Sequence, residues 1–214
     1  MLNRLLIIFI IIVTNASCSP TTSITESKNE ITSIDNFKTI TAFSGAINEY
    51  PNDAELYFKR GMLYLESNEF SQAINDFDQA IRLVPEATIV YSFRAKAFFE
   101  LKKYDKAVSD FTKAIDLTPN NWELFSLRGT SYFSAKNFEQ ALKDFSKAIE
   151  MRLKDFQNIE IQNKQISNLY LRRGDTNASL SNYNPAIDDF KKSLEFNPEN
   201  QVTKDYLERI LSLR

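Results

Sequence analysis

A period of 34 residues governs what this chain can fold into. Tyr91 to Pro119 reads YSFRAKAFFELKKYDKAVSDFTKAIDLTP. The same pattern stands 34 residues earlier as YFKRGMLYLESNEFSQAINDFDQAIRLVP and 34 later as FSLRGTSYFSAKNFEQALKDFSKAIEMRL. Within one copy, Tyr91, Ala95 and Phe98 are spaced i, i+4, i+7 and share a helix face; Ala107, Phe111 and Ala114 repeat that spacing on a second helix. The alanines let two helix axes approach while the aromatic rings fill the space between them. Tyr104 is placed to anchor the turn joining the pair. Pro119 stops the second helix, because its ring disfavours helix at the preceding residue and it has no amide hydrogen to donate. Asn120 or Asn121 then caps the next helix. One such hairpin cannot bury its aromatic face alone, so successive copies must stack and share a core.

At these residues the sequence resembles the tetratricopeptide repeat family, in which small and aromatic side chains sit at these offsets and a proline closes the unit. The units opening at Tyr57, Tyr91 and Phe125 match at nearly every signature position. The resemblance implies an all-α fold, a right-handed α-solenoid of helix hairpins. It also implies that the first helices of successive units line a concave face along which peptides or partner helices lie. Carried over residue by residue, the expected partner-binding set is Phe58, Met62, Ile89, Phe93, Lys96, Leu127 and Thr130. This set is largely apolar, so a clamp for a terminal carboxylate is not expected, and a hydrophobic segment or amphipathic helix is the better-matched guest. The competing expectation is a self-filled groove, closed by the solenoid's own capping helices or by a second copy of the chain.

Composition narrows the function further. The chain has no histidine and a single cysteine, which excludes histidine acid-base catalysis, histidine metal sites, zinc ribbons and disulfide frameworks. Only four glycines occur. Gly61, Gly129 and Gly174 take the place that Ala95 holds in the central repeat, so no phosphate-cradling loop is available. A formal charge of −2 argues against a nucleic-acid partner. Asp and Glu are so widespread that spacing nominates no acid-base pair; no catalytic residue, cofactor or metal is expected.

In chain order, residues 1–17 read as an export signal. Arg4 precedes an apolar run from Leu5 to Val13 that is too short to span a bilayer. Ala16 and Ser17 precede Cys18, and the stretch resembles a bacterial lipoprotein signal, although Asn15 stands where an aliphatic residue is usual. That resemblance implies lipidation at Cys18, membrane attachment through the acyl chains and a place in the cell envelope, with Ser19 favouring the outer membrane facing the periplasm. Residues 18–33 read as a Ser/Thr-rich tether. The repeat domain is expected over 34–214: a half repeat at 34–53, full repeats at 54–87, 88–121 and 122–154, an insertion at about 155–166, a repeat at 167–200 and a capping helix at 201–214.

The interval from Gly129 to Gly174 is 45 residues, eleven more than the period and close to three helical turns, so the extra residues are expected to lengthen the helices flanking the joint. In the last repeat Asn177 replaces the ring of Tyr64, Phe98 and Tyr132, which predicts looser packing there. Pro185 suits a first helical turn. Arg60, Arg94, Arg128 and Arg173 share one repeat position, and Asp76, Asp110, Asp144 and Asp189 another. Structural ion pairs along the stack are the expectation for these eight.

Overall fold

The computed structural model describes residues 36–154 and 159–212. The signal, the tether and Cys18 lie outside the described residues. The chain divides into two compact units, Met1–Thr39 and Ile40–Arg214. Of the first, only 36–39 are described, as the opening turn of α1 (36–49).

Every further element among the described residues is also a helix: α2 (Ala54–Glu66), α3 (Phe70–Leu83), α4 (Thr88–Glu100), α5 (Tyr104–Leu117), α6 (Trp122–Ser134), α7 (Phe138–Leu153), α8 (Ile159–Ser179), α9 (Tyr183–Phe196) and α10 (Gln201–Leu211). They pair as hairpins α2/α3, α4/α5, α6/α7 and α8/α9. Each second helix packs on the first helix of the next hairpin, and α10 covers the last one. This is an all-α solenoid of stacked hairpins.

The small and aromatic positions build the core. Phe77, Phe111, Phe145 and Phe190 are at most 1% exposed, flanked by Ala73, Ala107, Ala141 and Ala186, which are fully buried. Each ring seats on the small residue of its first helix: a Cβ at Gly61 or Gly174 would meet the facing ring at 2.7 or 2.6 Å, and at Gly129 at 3.0 Å. The helices can approach this closely only because that residue is glycine or, at Ala95, alanine.

Each hairpin turn closes in one way. The amides of Glu69, Lys103, Asn137 and Asn182 donate to the carbonyls of Tyr64, Phe98, Tyr132 and Asn177 at 2.8–2.9 Å. The preceding residue, Asn68, Lys102, Lys136 or Ser181, has φ of 57–62°. This is the geometry that ends a helix on a left-handed residue, here without glycine. Tyr104 packs on Phe99 across its turn, as Phe138 does on Phe133, both with centroids 5.4 Å apart. Before α6 it is Asn121 that caps, accepting from the Glu123 amide.

Around the insertion, α7 has 16 residues against 14 in α3 and α5, and α8 has 21 against 13 in α2, α4 and α6. The joint is polar: buried Arg152 donates to Gln165 Oε1, lies 5.5 Å from the Trp122 ring centroid, and its carbonyl accepts from Gln162. Asn177 does not loosen the last hairpin. It is buried and donates to Asp189 Oδ2 at 3.1 Å, replacing the ring that faces the arginine in earlier copies. Where those copies have Ala80, Ala114 and Ala148, Ser193 joins a buried hydroxyl chain to Ser167 at 2.9 Å and Thr203 at 3.0 Å.

Candidate functional site: the face lined by the first helices

The four arginines set the spacing of this face. Arg60, Arg94, Arg128 and Arg173 each hold both carboxylate oxygens of Asp76, Asp110, Asp144 and Asp189 in the same hairpin, at 2.6–3.0 Å. Each also donates from Nη1 to the preceding second helix, at Ser44, Asp78, Thr112 and Ser146 respectively. One guanidinium therefore ties three helices together. For Arg60 and Arg128 the hydrogen bond donated to the paired aspartate raises the pKa above an already high value. For Arg94 burial opposes the charge, but Asp110 and Asp78 together outweigh it and the pKa is again raised. In the first three hairpins the guanidinium carbon also lies 5.9 Å from the ring of Tyr64, Phe98 or Tyr132.

On this frame the expected binding residues fall into three groups. Phe58 and Phe93 meet edge to face with centroids 5.5 Å apart, both against Phe77, and Met62 packs on the same cluster. Lys96 Nζ lies 4.8 Å from the Phe93 centroid. These four, on α2 and α4, form one half-exposed aromatic patch with a cation at its edge. Leu127 packs one hairpin further on, against the cluster around Phe111. Thr130 accepts from Arg172 Nη1 at 3.3 Å. Ile89, 55% exposed, is separate from the patch: it borders a shallow hollow with Ser92, Pro119, Asn121 and Leu124, where one unit meets the next.

The far end of the face was not anticipated. Asn168, Leu171, Arg172 and Asp175 of α8 line a second hollow with Val202 and Tyr206 of α10. Burial pushes the Asp175 carboxyl up, against the opposing pull of Arg209 and Arg172. The signal was present in the sequence: 45 residues beyond Leu127 and Thr130 stand Arg172 and Asp175, so the positions that are apolar or uncharged in α6 are charged in α8. Among the described residues no buried side-chain nitrogen or oxygen lacks a partner, no group of His, Cys, Asp or Glu is arranged to hold a metal ion, and no helix is long and apolar enough to cross a membrane.

A stack of helix hairpins whose first helices present side chains that are half-buried and aromatic at one end and charged at the other has the architecture of a scaffold for protein–protein interaction. Tetratricopeptide repeat profiles match residues 58–121, and again 123–155 and 167–200, more than half of the chain, and the chain belongs to that family. Among curated proteins no sequence matches. Among solved structures the fold is similar to a crystal structure of MamA, at 20% identity and a TM-score of 0.70 over 80% of this chain and 94% of that one. The Arabidopsis OM64 TPR domain is 29% identical, with a TM-score of 0.51 over 60% and 98% of the two chains. The first TPR of Spaghetti (RPAP3), bound to the HSP90 peptide SRMEEVD, is 27% identical, with a TM-score of 0.51 over 59% and 91%.

Proposed function

We propose that this chain captures a segment of a partner protein on the aromatic patch of α2 and α4. The observation that carries the reading is the Phe58–Phe93 contact beside Met62 and Lys96. These rings are only half-buried although the fully buried Phe77 already fills the hairpin core beneath them. Apolar surface that the fold leaves half-open is surface a guest can cover. That a similar domain was solved with a peptide bound supports capture of a peptide segment by this chain. Copurification from native cells tests it: a protein retained by the wild type and by Lys113→Glu, exposed on α5, but lost with Phe93→Ser supports capture on this face, and equal recovery with all three contradicts it.

A soluble binder, or a chain that fills its own groove by self-association, needs no membrane attachment, and the family likeness supports these readings without calling on the N-terminus. Sedimentation velocity separates them, because a dimer that dissociates on Phe93→Glu identifies the second copy as the guest. Export and lipidation at Cys18, with envelope localisation, rest on the N-terminal sequence MLNRLLIIFIIIVTNASC alone. Palmitate labelling of the wild type that is lost in Cys18→Ser supports them, and an unlabelled wild type contradicts them.

A further inference from the structure

We infer that the guest of this face is an acidic amphipathic segment, its apolar side chains on Phe58, Met62 and Phe93 and its carboxylates over Lys96 and Arg172; this rests on the binding role proposed above. Lys96 is exposed, with its ammonium over the Phe93 ring, and among the described residues no carboxylate oxygen lies within 4.0 Å of it, Glu100 one turn further along α4 included. Arg172 is also exposed and makes no ion pair within that distance. Its Nη1 donates to Thr130 at 3.3 Å, which leaves its other donors for a ligand.

The remaining charges near this face do not cancel these two. Lys59 and Glu55 pair with each other at 2.7 Å. Asp175 is half-buried, and its one carboxyl is acted on by two guanidiniums, Arg209 and Arg172. An apolar patch followed by the unpaired Lys96 ammonium and by an exposed guanidinium that shares Asp175 with Arg209 is complementary to a segment that is apolar and then negative.

Panning a random dodecapeptide display library against the full chain tests the inference. Clones are scored on the wild type, on Phe93→Ser, on Met62→Glu and on the double variant Lys96→Glu/Arg172→Glu, with circular dichroism confirming that each variant keeps its helix content. The expected clones combine an aromatic or aliphatic residue with two acidic ones, depend on Phe93 and Met62, and bind about tenfold or more weakly to the double charge reversal. Clones that depend on Phe93 but show no acidic bias and ignore the reversal overturn this inference while leaving the binding face intact. Clones that bind equally well to Phe93→Ser and Met62→Glu overturn both.

Discussion

Arg94, held through two hydrogen bonds by Asp110 of its own hairpin, reaches back to Asp78 of the preceding hairpin at 2.5 Å. Asp78 alone gives this inter-hairpin contact a charge; Ser44, Thr112 and Ser146 supply hydroxyls in its place. Arg94→Ala would strand a buried Asp110 and is expected to cost about 3 kcal/mol of folding stability. Asp78→Ala, removing a partner that is 44% exposed, is expected to cost under about 1 kcal/mol. Chemical denaturation of both variants and of the double mutant checks the order. An Arg94→Ala chain as stable as the wild type would show that the clasp is ornamental.

The ring-on-glycine contacts predict a graded series. Alanine at Gly174 or Gly61 places a Cβ 2.6–2.7 Å from a fully buried phenylalanine, and the overpacking, about 1–3 kcal/mol, outweighs the gain of about 1 kcal/mol in helix propensity. At Gly129 the same atom stands at 3.0 Å, and the central hairpin already accommodates Ala95 in that place. Gly129→Ala is therefore expected within about 1 kcal/mol of the wild type. Thermal unfolding of the three variants should rank Gly129→Ala as the most stable.

The hairpin turns can be improved. Lys102 and Lys136 adopt φ of 57° and 61°, a conformation that costs a side-chain-bearing residue of this type about 1 kcal/mol. Glycine at either position should raise stability by a few tenths to about 1 kcal/mol, and more than at Asn68, because asparagine tolerates that region better. Unfolding midpoints in denaturant measure the difference.

Asp175 makes stability depend on pH in a known direction. Its carboxyl is raised above the ordinary value of 3.8 by burial, so over the interval from 3.8 up to that raised value the folded chain binds more protons than the unfolded one. Stability from this group therefore falls as pH climbs through that interval, and the penalty is fully present above it. Asp175→Asn should raise the unfolding temperature at pH 7, with the advantage shrinking as the pH approaches 3.8. A variant advantage that grows on acidification would reverse the sign and refute the account.

Much of this architecture was legible in the sequence because one structural unit is written out repeatedly. The spacing of Tyr91, Ala95 and Phe98 fixes a helix face, and the aspartates and arginines recur in phase with it. The third partner of each arginine was harder to read, because Ser44, Asp78, Thr112 and Ser146 share a position without sharing a chemistry. The turn residues Asn68, Lys102, Lys136 and Ser181 likewise carry no common side chain, since what they share is a backbone angle. Asn177 was misread because a lost ring suggests a gap, whereas an amide can fill the same space and bond Asp189. Ile89 was grouped with Phe93 by the family resemblance, and it borders a separate hollow shared with Asn121 and Leu124 where two units meet. Arg172 and Asp175 were overlooked because the repeat register shifts by eleven residues before them.

The binding role of the aromatic patch is the central claim, and photocrosslinking in native cells reaches it most directly. A photoreactive residue would replace Phe93 on α4 and, in a parallel culture, Lys113 on α5, which is exposed on a second helix. The account predicts one recurrent protein captured from position 93 and not from position 113. The same products from both positions, or none from position 93, would contradict it.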